Sequence, residues 1–301
     1  MSGYSGYNVG DLIAEFLSQI GVQTVVGIVS VHNIPMLDGI GRRNAIRYVM
    51  ARGEMGGAHM ADGYSRATGS LGVTFSSTGP GAANAVGGLI EARIAGTPLL
   101  HITGQTATGF VDKGMGTVHD VPDQLGMLKA ISKSAYRIRN AHQALGVLVQ
   151  AATEALTPPR GPVSIEVPID VQRTQIPRPA MLDALTLPIP APQRPSDAAL
   201  DELAERVRAA KRPMLWLGAG AKHAGGPAAA LLELGFGMVT SAAGRGSVPE
   251  DHPRSLGSFN GNLTPVVQEF YQGCDLMIVV GSRLRGHETA DFSVKLPANL
   301  I

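Results

Sequence analysis

Eight short runs of apolar, largely β-branched residues punctuate the chain: Thr24–Val29, Ile46–Ala51, Gly72–Ser77, Leu99–Thr103, Val163–Val167, Met214–Leu217, Met238–Ser241 and Met277–Val280. They are nearly continuous in hydrophobicity rather than alternating. That pattern predicts strands covered on both faces, as in a parallel sheet. Between them lie amphipathic stretches such as Val9–Ile20, Ala141–Ala155 and Ala198–Ala210, which predict helices. Strand and helix alternate from one end to the other, so the expected fold class is α/β, built on a doubly wound parallel sheet.

The segment Ile176–Ser196 breaks this rhythm with six prolines and no clear period. It predicts a semi-rigid linker over 176–196, because proline favours extended backbone. A first domain over 1–175 and a second over 197–301 follow. The second is expected to be Rossmann-like and incomplete: the run Leu296–Ile301 opens a further apolar stretch and stops, which reads as a truncation.

Composition narrows the function classes. With 44% hydrophobic and 16% charged residues among 301, the chain has the make-up of a globular protein. A formal charge of +1 gives no electrostatic case for nucleic acid or an acidic membrane surface as partner. Cys274 is the single cysteine, so neither an intramolecular disulfide nor a thiolate metal cluster can form. The N-terminal stretch lacks the basic flank and apolar run of a signal peptide, and no run reaches the eighteen apolar residues of a membrane span. The expectation is a cytoplasmic enzyme.

Candidate chemistry concentrates in Arg47–Gly69, RYVMARGEMGGAHMADGYSRATG. A strand runs into Arg52-Gly53, and Glu54 opens a helix rich in Gly56, Gly57, Ala58, Ala61 and Gly63, small residues that permit close approach by a helix or ligand. A carboxylate there gains about 0.3–1 kcal/mol from the helix dipole in any case. The block Ser77-Thr78-Gly79-Pro80-Gly81-Ala82-Ala83-Asn84 follows the next strand, its glycines suited to a tight turn and Pro80 to a first helical turn.

The run Ala58–Gly69 matches the pattern Ala-x-Met-Ala-Asp-Gly-Tyr-(Ala/Ser)-Arg-x-Thr-Gly almost unbroken. With Glu54 before it, this resembles the pyrimidine-binding domain of the thiamine diphosphate enzymes, in the branch of acetolactate synthase and benzoylformate decarboxylase. Ser77–Asn84 resembles that family's Thr-Ser-Gly-Pro-Gly-x-x-Asn turn, and Gly161–Pro168 the strand that closes the same domain. Arg212–Gly220, Gly244–Pro253 and Cys274–Arg283 resemble successive parts of its central domain.

The resemblance implies that Glu54 hydrogen-bonds the cofactor's aminopyrimidine ring and activates it in a dry pocket, to which Met50 and Met55 are suited. It implies cofactor contacts from Val29, Ser30, Thr78, Gly79, Pro80, Gly81 and Asn84. His119, in a loop His119–Gln124 that resembles an active-site loop of relatives, is a second catalytic candidate. The implied activity is that of a transferase or lyase acting on a 2-oxo acid, by acetolactate synthase-like decarboxylation and carboligation. The alternatives are a simple 2-oxo acid decarboxylase, or a non-catalytic module without the diphosphate-binding domain.

Two departures stand out. The loop after the first strand reads Gly27-Ile28-Val29-Ser30-Val31-His32-Asn33-Ile34-Pro35 where the family has Pro-Gly, and Ser77 stands where the benzoylformate decarboxylase branch has a histidine. No Gly-Asp-Gly, the family's motif for the divalent cation, occurs in the 301 residues. Mg2+ ligands are therefore expected elsewhere, with none in this chain, and the chain alone is expected to be inactive. The family's shared sites imply a homodimer or homotetramer. Gly218-Ala219-Gly220 lacks a full dinucleotide fingerprint, though the resemblance allows FAD in the central domain.

Overall fold

The computed structural model describes residues 6–259 and 265–301 and divides into two compact units between Ala191 and Pro192. The first unit runs α1 (Val9–Gln19), β1 (Thr24–Gly27), α2 (Ile34–Arg43), β2 (Arg47–Met50), α3 (Glu54–Thr68), β3 (Gly72–Ser76), α4 (Pro80–Asn84), α5 (Val86–Ala95), β4 (Leu99–Gln105), α6 (Gln124–Ile131), β5 (Ser134–Arg137), α7 (Ala144–Leu156), β6 (Pro162–Pro168) and α8 (Ile169–Arg173). Its six strands are all parallel, in the order β2-β1-β3-β4-β6-β5. Every residue of β3, β4 and β6 is buried, the physical reason these segments are apolar almost without interruption.

The chain starts at β1, steps outward to β2, then crosses back to lay β3 on the other side. The winding direction therefore reverses between β1 and β3. In open α/β sheets the crevice beyond the C-terminal strand ends at such a point is where ligands bind. Helix α1 is fixed on the sheet by Leu12, Ile13, Phe16 and Leu17, all essentially buried. It starts where Asn8 and Asp11 cap each other's backbone N–H groups at 2.9 and 3.0 Å.

Part of the proline-rich segment is core rather than free linker. The Ile176 N–H donates to the Tyr7 carbonyl at 2.9 Å, and Leu182, in a 3-10 turn over Ala180–Ala184, is fully buried. Ile176, Leu185 and Leu187 pack on the same cluster, and Arg178 pairs with Glu15 at 2.8 Å. Apolar residues between the prolines thus tie the segment to the first unit as far as Leu187.

The second unit comprises α9 (Asp197–Ala209), β7 (Pro213–Leu217), α10 (Gly225–Glu233), β8 (Gly237–Ser241), β9 (Ser255–Phe259), α11 (Pro265–Gln272) and β10 (Leu276–Val280). Its four strands are parallel in the order β10-β7-β8-β9. The fold is α/β in both units, with a parallel sheet in each. Trp216 anchors the core of the second unit, edge-on to Phe259 with ring centroids 5.0 Å apart. Asn299–Ile301 lie beside β10: the Met277 N–H donates to the Asn299 carbonyl at 3.0 Å and the Ile301 N–H to the Met277 carbonyl at 2.9 Å.

Candidate active site at the switch point

Loops from four strands meet at the C-terminal edge of the first sheet: Ile28–Asn33 after β1, Ala51–Gly53 after β2, Ser77–Gly79 after β3, and the long Thr106–Asp123 connection after β4. Glu54 is the first residue of α3 and is half-buried. Its carboxylate lies over Gly81: a methyl group there would stand 2.7 Å from Glu54 Oε1 and 2.6 Å from Ser77 Cβ. Among the described residues the Glu54 side chain has one hydrogen-bond donor, Asn84 Nδ2, at 3.5 Å from Oε2. The carboxylate therefore keeps acceptor capacity at a helix N-terminus.

Asn33, fully buried, staples the β1 loop into place. Its Nδ2 donates to the Ile28 carbonyl at 2.9 Å and to the Ser76 carbonyl at 3.0 Å, while Oδ1 accepts from the Ser30 N–H at 2.8 Å. The Ser30 hydroxyl then meets the Ser77 hydroxyl at 2.7 Å, and Ser77 Oγ lies 3.5 Å from His119 Nδ1. His32 sits beside His119, ring centroids 5.5 Å apart, and His32 Nδ1 is buried without a hydrogen-bond partner. Burial, and secondarily the neighbouring His119, hold the His32 imidazole below its ordinary pKa. Ser77 thus joins this group to the Glu54 side: its Cβ and Glu54 Oε1 both lie against Gly81.

The turn that carries Gly79 is clamped from two sides. Gly79 has φ +55°, and an added methyl would stand 2.1 Å from the His119 carbonyl, so only glycine fits. From the other side, Gln124 Oε1 accepts from the Gly79 N–H at 2.6 Å and from the Thr78 hydroxyl at 2.9 Å. Gln124 Nε2 donates to the Gly104 carbonyl at 3.1 Å and to Glu166 Oε2 at 2.9 Å. Glu166, on β6, is wholly buried; it also accepts from Gln105 Nε2 at 3.2 Å and is ion-paired to Arg137. Burial pushes its carboxyl above the ordinary glutamate range, against the pull of the Arg137 guanidinium. Arg137 in turn reaches Asp112 at 3.0 Å.

Of the residues the sequence singled out, Glu54, Thr78, Gly79, Pro80, Gly81, Ser30 and His119 lie on these converging loops and helix starts, and Asn84 ends the short helix α4. Val29 is on the same loop but 52% exposed. Met50 and Met55 are 72% and 54% exposed. The reading by motif passed over Asn33, Gln124 as a clamp, and Glu166. The available signal for the last was a charged residue within the largely apolar strand Pro162–Pro168.

Among the described residues, no group of three or more His, Cys, Asp or Glu side chains is placed to hold a metal ion, and no helix is long and apolar enough to cross a membrane. In the second unit the Gly218 N–H donates to the Val280 carbonyl at 2.8 Å and the Gly220 N–H to the Gly281 carbonyl at 3.0 Å. Those two glycines serve to pack the loop after β7 on the loop after β10, and neither N–H is left for a phosphate.

Residues 7–127 match the family described as thiamine pyrophosphate enzyme, N-terminal TPP binding domain, and residues 200–300 match its central domain. Among relatives, the "Probable 2-ketoarginine decarboxylase AruI" of Pseudomonas aeruginosa is 34% identical over 91% of this chain and 48% of its own length. The acetolactate synthase isozyme 1 large subunit of Escherichia coli is 32% identical over 91% of this chain and 48% of its own length. The chloroplastic acetolactate synthase of Arabidopsis thaliana is 28% identical over 91% of this chain and 41% of its own length. The chain therefore spans about half the length of the relatives it matches. With both of its units matched to successive domains of one family, this chain belongs to the thiamine pyrophosphate (thiamine diphosphate) enzymes, in the company of the acetolactate synthases.

Proposed function

We propose that this chain supplies the pyrimidine-side half of a thiamine diphosphate site in a 2-oxo acid enzyme, with acetolactate synthase-like decarboxylation and carboligation as the reaction. The observation that carries the reading is Glu54 at the start of α3, at the sheet's switch point, with its carboxylate over Gly81 and acceptor capacity to spare. That acceptor fits an aminopyrimidine, whose ring nitrogen, when it carries a proton, donates its N–H to a carboxylate. When bound, the cofactor would supply an acidic thiazolium C–H as a latent nucleophile and the cationic thiazolium ring as an electron sink.

The chain's own residues do the rest of the work on this side. Glu54 accepts a hydrogen bond from, and holds a proton at, the pyrimidine ring nitrogen. Thr78, Gly79, Pro80 and Gly81 shape the surface on which the ring lies, and Asn84 orients the Glu54 carboxylate. Ser30 and Ser77 link this surface to His119, the residue assigned to exchange a proton with substrate. Mg2+ and the diphosphate are assigned to residues outside this chain. A second copy is expected to cover the site, an expectation supported by the exposure of Met50, Met55, Met60 and Ile90 around α3 and α5.

The His32–His119 pair favours a second reading, simple 2-oxo acid decarboxylation with release of the aldehyde, because product protonation needs an acid close by. One experiment addresses both. Full-length protein with thiamine diphosphate and Mg2+ is incubated with pyruvate and with 2-ketoarginine. Acetolactate is the expected product from pyruvate; free aldehyde in its place favours the second reading. Glu54→Gln is expected to lower turnover about a hundredfold or more, and near-normal turnover would sink the role given to Glu54.

A further inference from the structure

Glu166 occupies the centre of β6, flanked by Ile165 and Val167, at a place where an apolar residue would be cheapest. Its two oxygens are used differently. Oε1 takes the Arg137 guanidinium from the neighbouring edge strand β5, while Oε2 accepts from Gln124 and Gln105. An amide presents a carbonyl on one side and an NH2 on the other. Because Glu166 Oε2 and the Gly104 carbonyl both demand donors, the Gln124 NH2 must face them, and its carbonyl must face the Thr78–Gly79 turn.

We propose that Glu166 is a positioning residue: through Gln124 it fixes the turn Thr78–Gly81, against which the Glu54 carboxylate lies. The inference rests on the reading of Glu54 given above. Arg137 decides how the arrangement responds to change. In Glu166→Gln, the guanidinium draws the new amide's carbonyl to itself, and the new NH2 is forced toward Gln124. Two donors then face one another, the Gln124 amide turns over, and the Gly79 N–H loses its acceptor. In Arg137→Met, Glu166 takes up a proton on the vacated side and still offers Oε2 to Gln124. In the double variant, the amide at 166 is free to turn its carbonyl to Gln124, and the clamp is restored. An ion pair that merely ties β5 to β6 predicts the opposite order, with the double variant no better than Glu166→Gln.

The test uses full-length protein and two readouts: deuterium exchange of the peptide containing Gly79, and thiamine diphosphate affinity by calorimetry in the presence of Mg2+. Glu166→Gln is expected to speed Gly79 exchange and weaken the cofactor about tenfold, the equivalent of one buried hydrogen bond. Arg137→Met should lower thermal stability yet leave both readouts within about twofold, and the double variant should recover to within about threefold. A double variant as impaired as Glu166→Gln in Gly79 exchange overturns the proposal. Should Glu166→Gln fail to fold, Gln124→Met removes the same acceptor with the ion pair intact; unchanged Gly79 exchange there overturns the proposal too. If Gly79 exchange follows the expected order while cofactor affinity never moves, the positioning stands and the reading of the site fails.

Discussion

A methyl group on Gly81 would press on Glu54 Oε1 and Ser77 Cβ at 2.7 and 2.6 Å, closer than real Cβ contacts come. The backbone of α4 at this position is ordinary helix, so Gly81→Ala introduces no dihedral strain; the cost is contact alone. Overpacking of this kind costs about 1–3 kcal/mol, and the mobile partner, the glutamate side chain, gives way before the buried Ser77 does. Gly81→Ala is therefore expected to keep the fold, with a small drop in melting temperature, and to lower kcat at least about tenfold, since an ångström of displacement at a reacting group is costly. Unchanged kcat in Gly81→Ala would show that Glu54 does not need its present position. At this scale the motif residues were legible because each serves a turn or a helix start that leaves few residue choices. Asn33, Gln124 and Glu166 were not, because a buried side-chain network joins positions 28 to 166, and linear spacing holds no trace of such pairing.

Strands β5 and β9 show the same limit for whole elements. Ser134-Ala135-Tyr136-Arg137 and Ser255-Leu256-Gly257-Ser258-Phe259 form no continuous apolar run; each pairs on one side only, at the edge of its sheet. Edge strands tolerate polar residues, so the pattern that exposes β3, β4 and β6 is silent there. The central strands carry a different kind of polar residue. His101 of β4 is fully buried, with Nε2 2.8 Å from Ser76 Oγ of β3 and Nδ1 3.1 Å from Ser164 Oγ of β6. Burial pushes its pKa down to about 3. An unfolded chain's histidine takes up its proton near pH 6.5, whereas the folded one stays neutral until the pH nears 3. Across that window the unfolded state binds more protons, so stability falls as the pH drops, by on the order of 1 kcal/mol per pH unit. Urea unfolding midpoints between pH 7 and 5 should thus decline less steeply in His101→Gln than in the parent. Parallel pH slopes for the two proteins would mean that His101 is not the group responsible.

Under the proposal above, this chain holds the aminopyrimidine and residues outside it hold the diphosphate. The net charge is +1, no Gly-Asp-Gly occurs in the 301 residues, and among the described residues no acidic or histidine cluster is placed for a cation. The chain spans about half the length of the relatives it matches. Hydrogen bonding to a half-buried glutamate, with the neighbouring methionines open to solvent, offers little affinity by itself, because water competes for the same acceptor. The 301-residue chain alone is therefore expected to bind thiamine diphosphate on the order of 1 mM or weaker, to bind plain thiamine about as well, and to gain nothing from added Mg2+. No turnover of 2-oxo acids is expected from it. Calorimetry with the cofactor, with thiamine, and with and without Mg2+ checks each point. Tight, Mg2+-dependent binding would place a diphosphate anchor inside this chain and overturn the division of the site into a pyrimidine-activating half here and a diphosphate-holding half elsewhere. Weak binding that is indifferent to the diphosphate is the pattern that division requires.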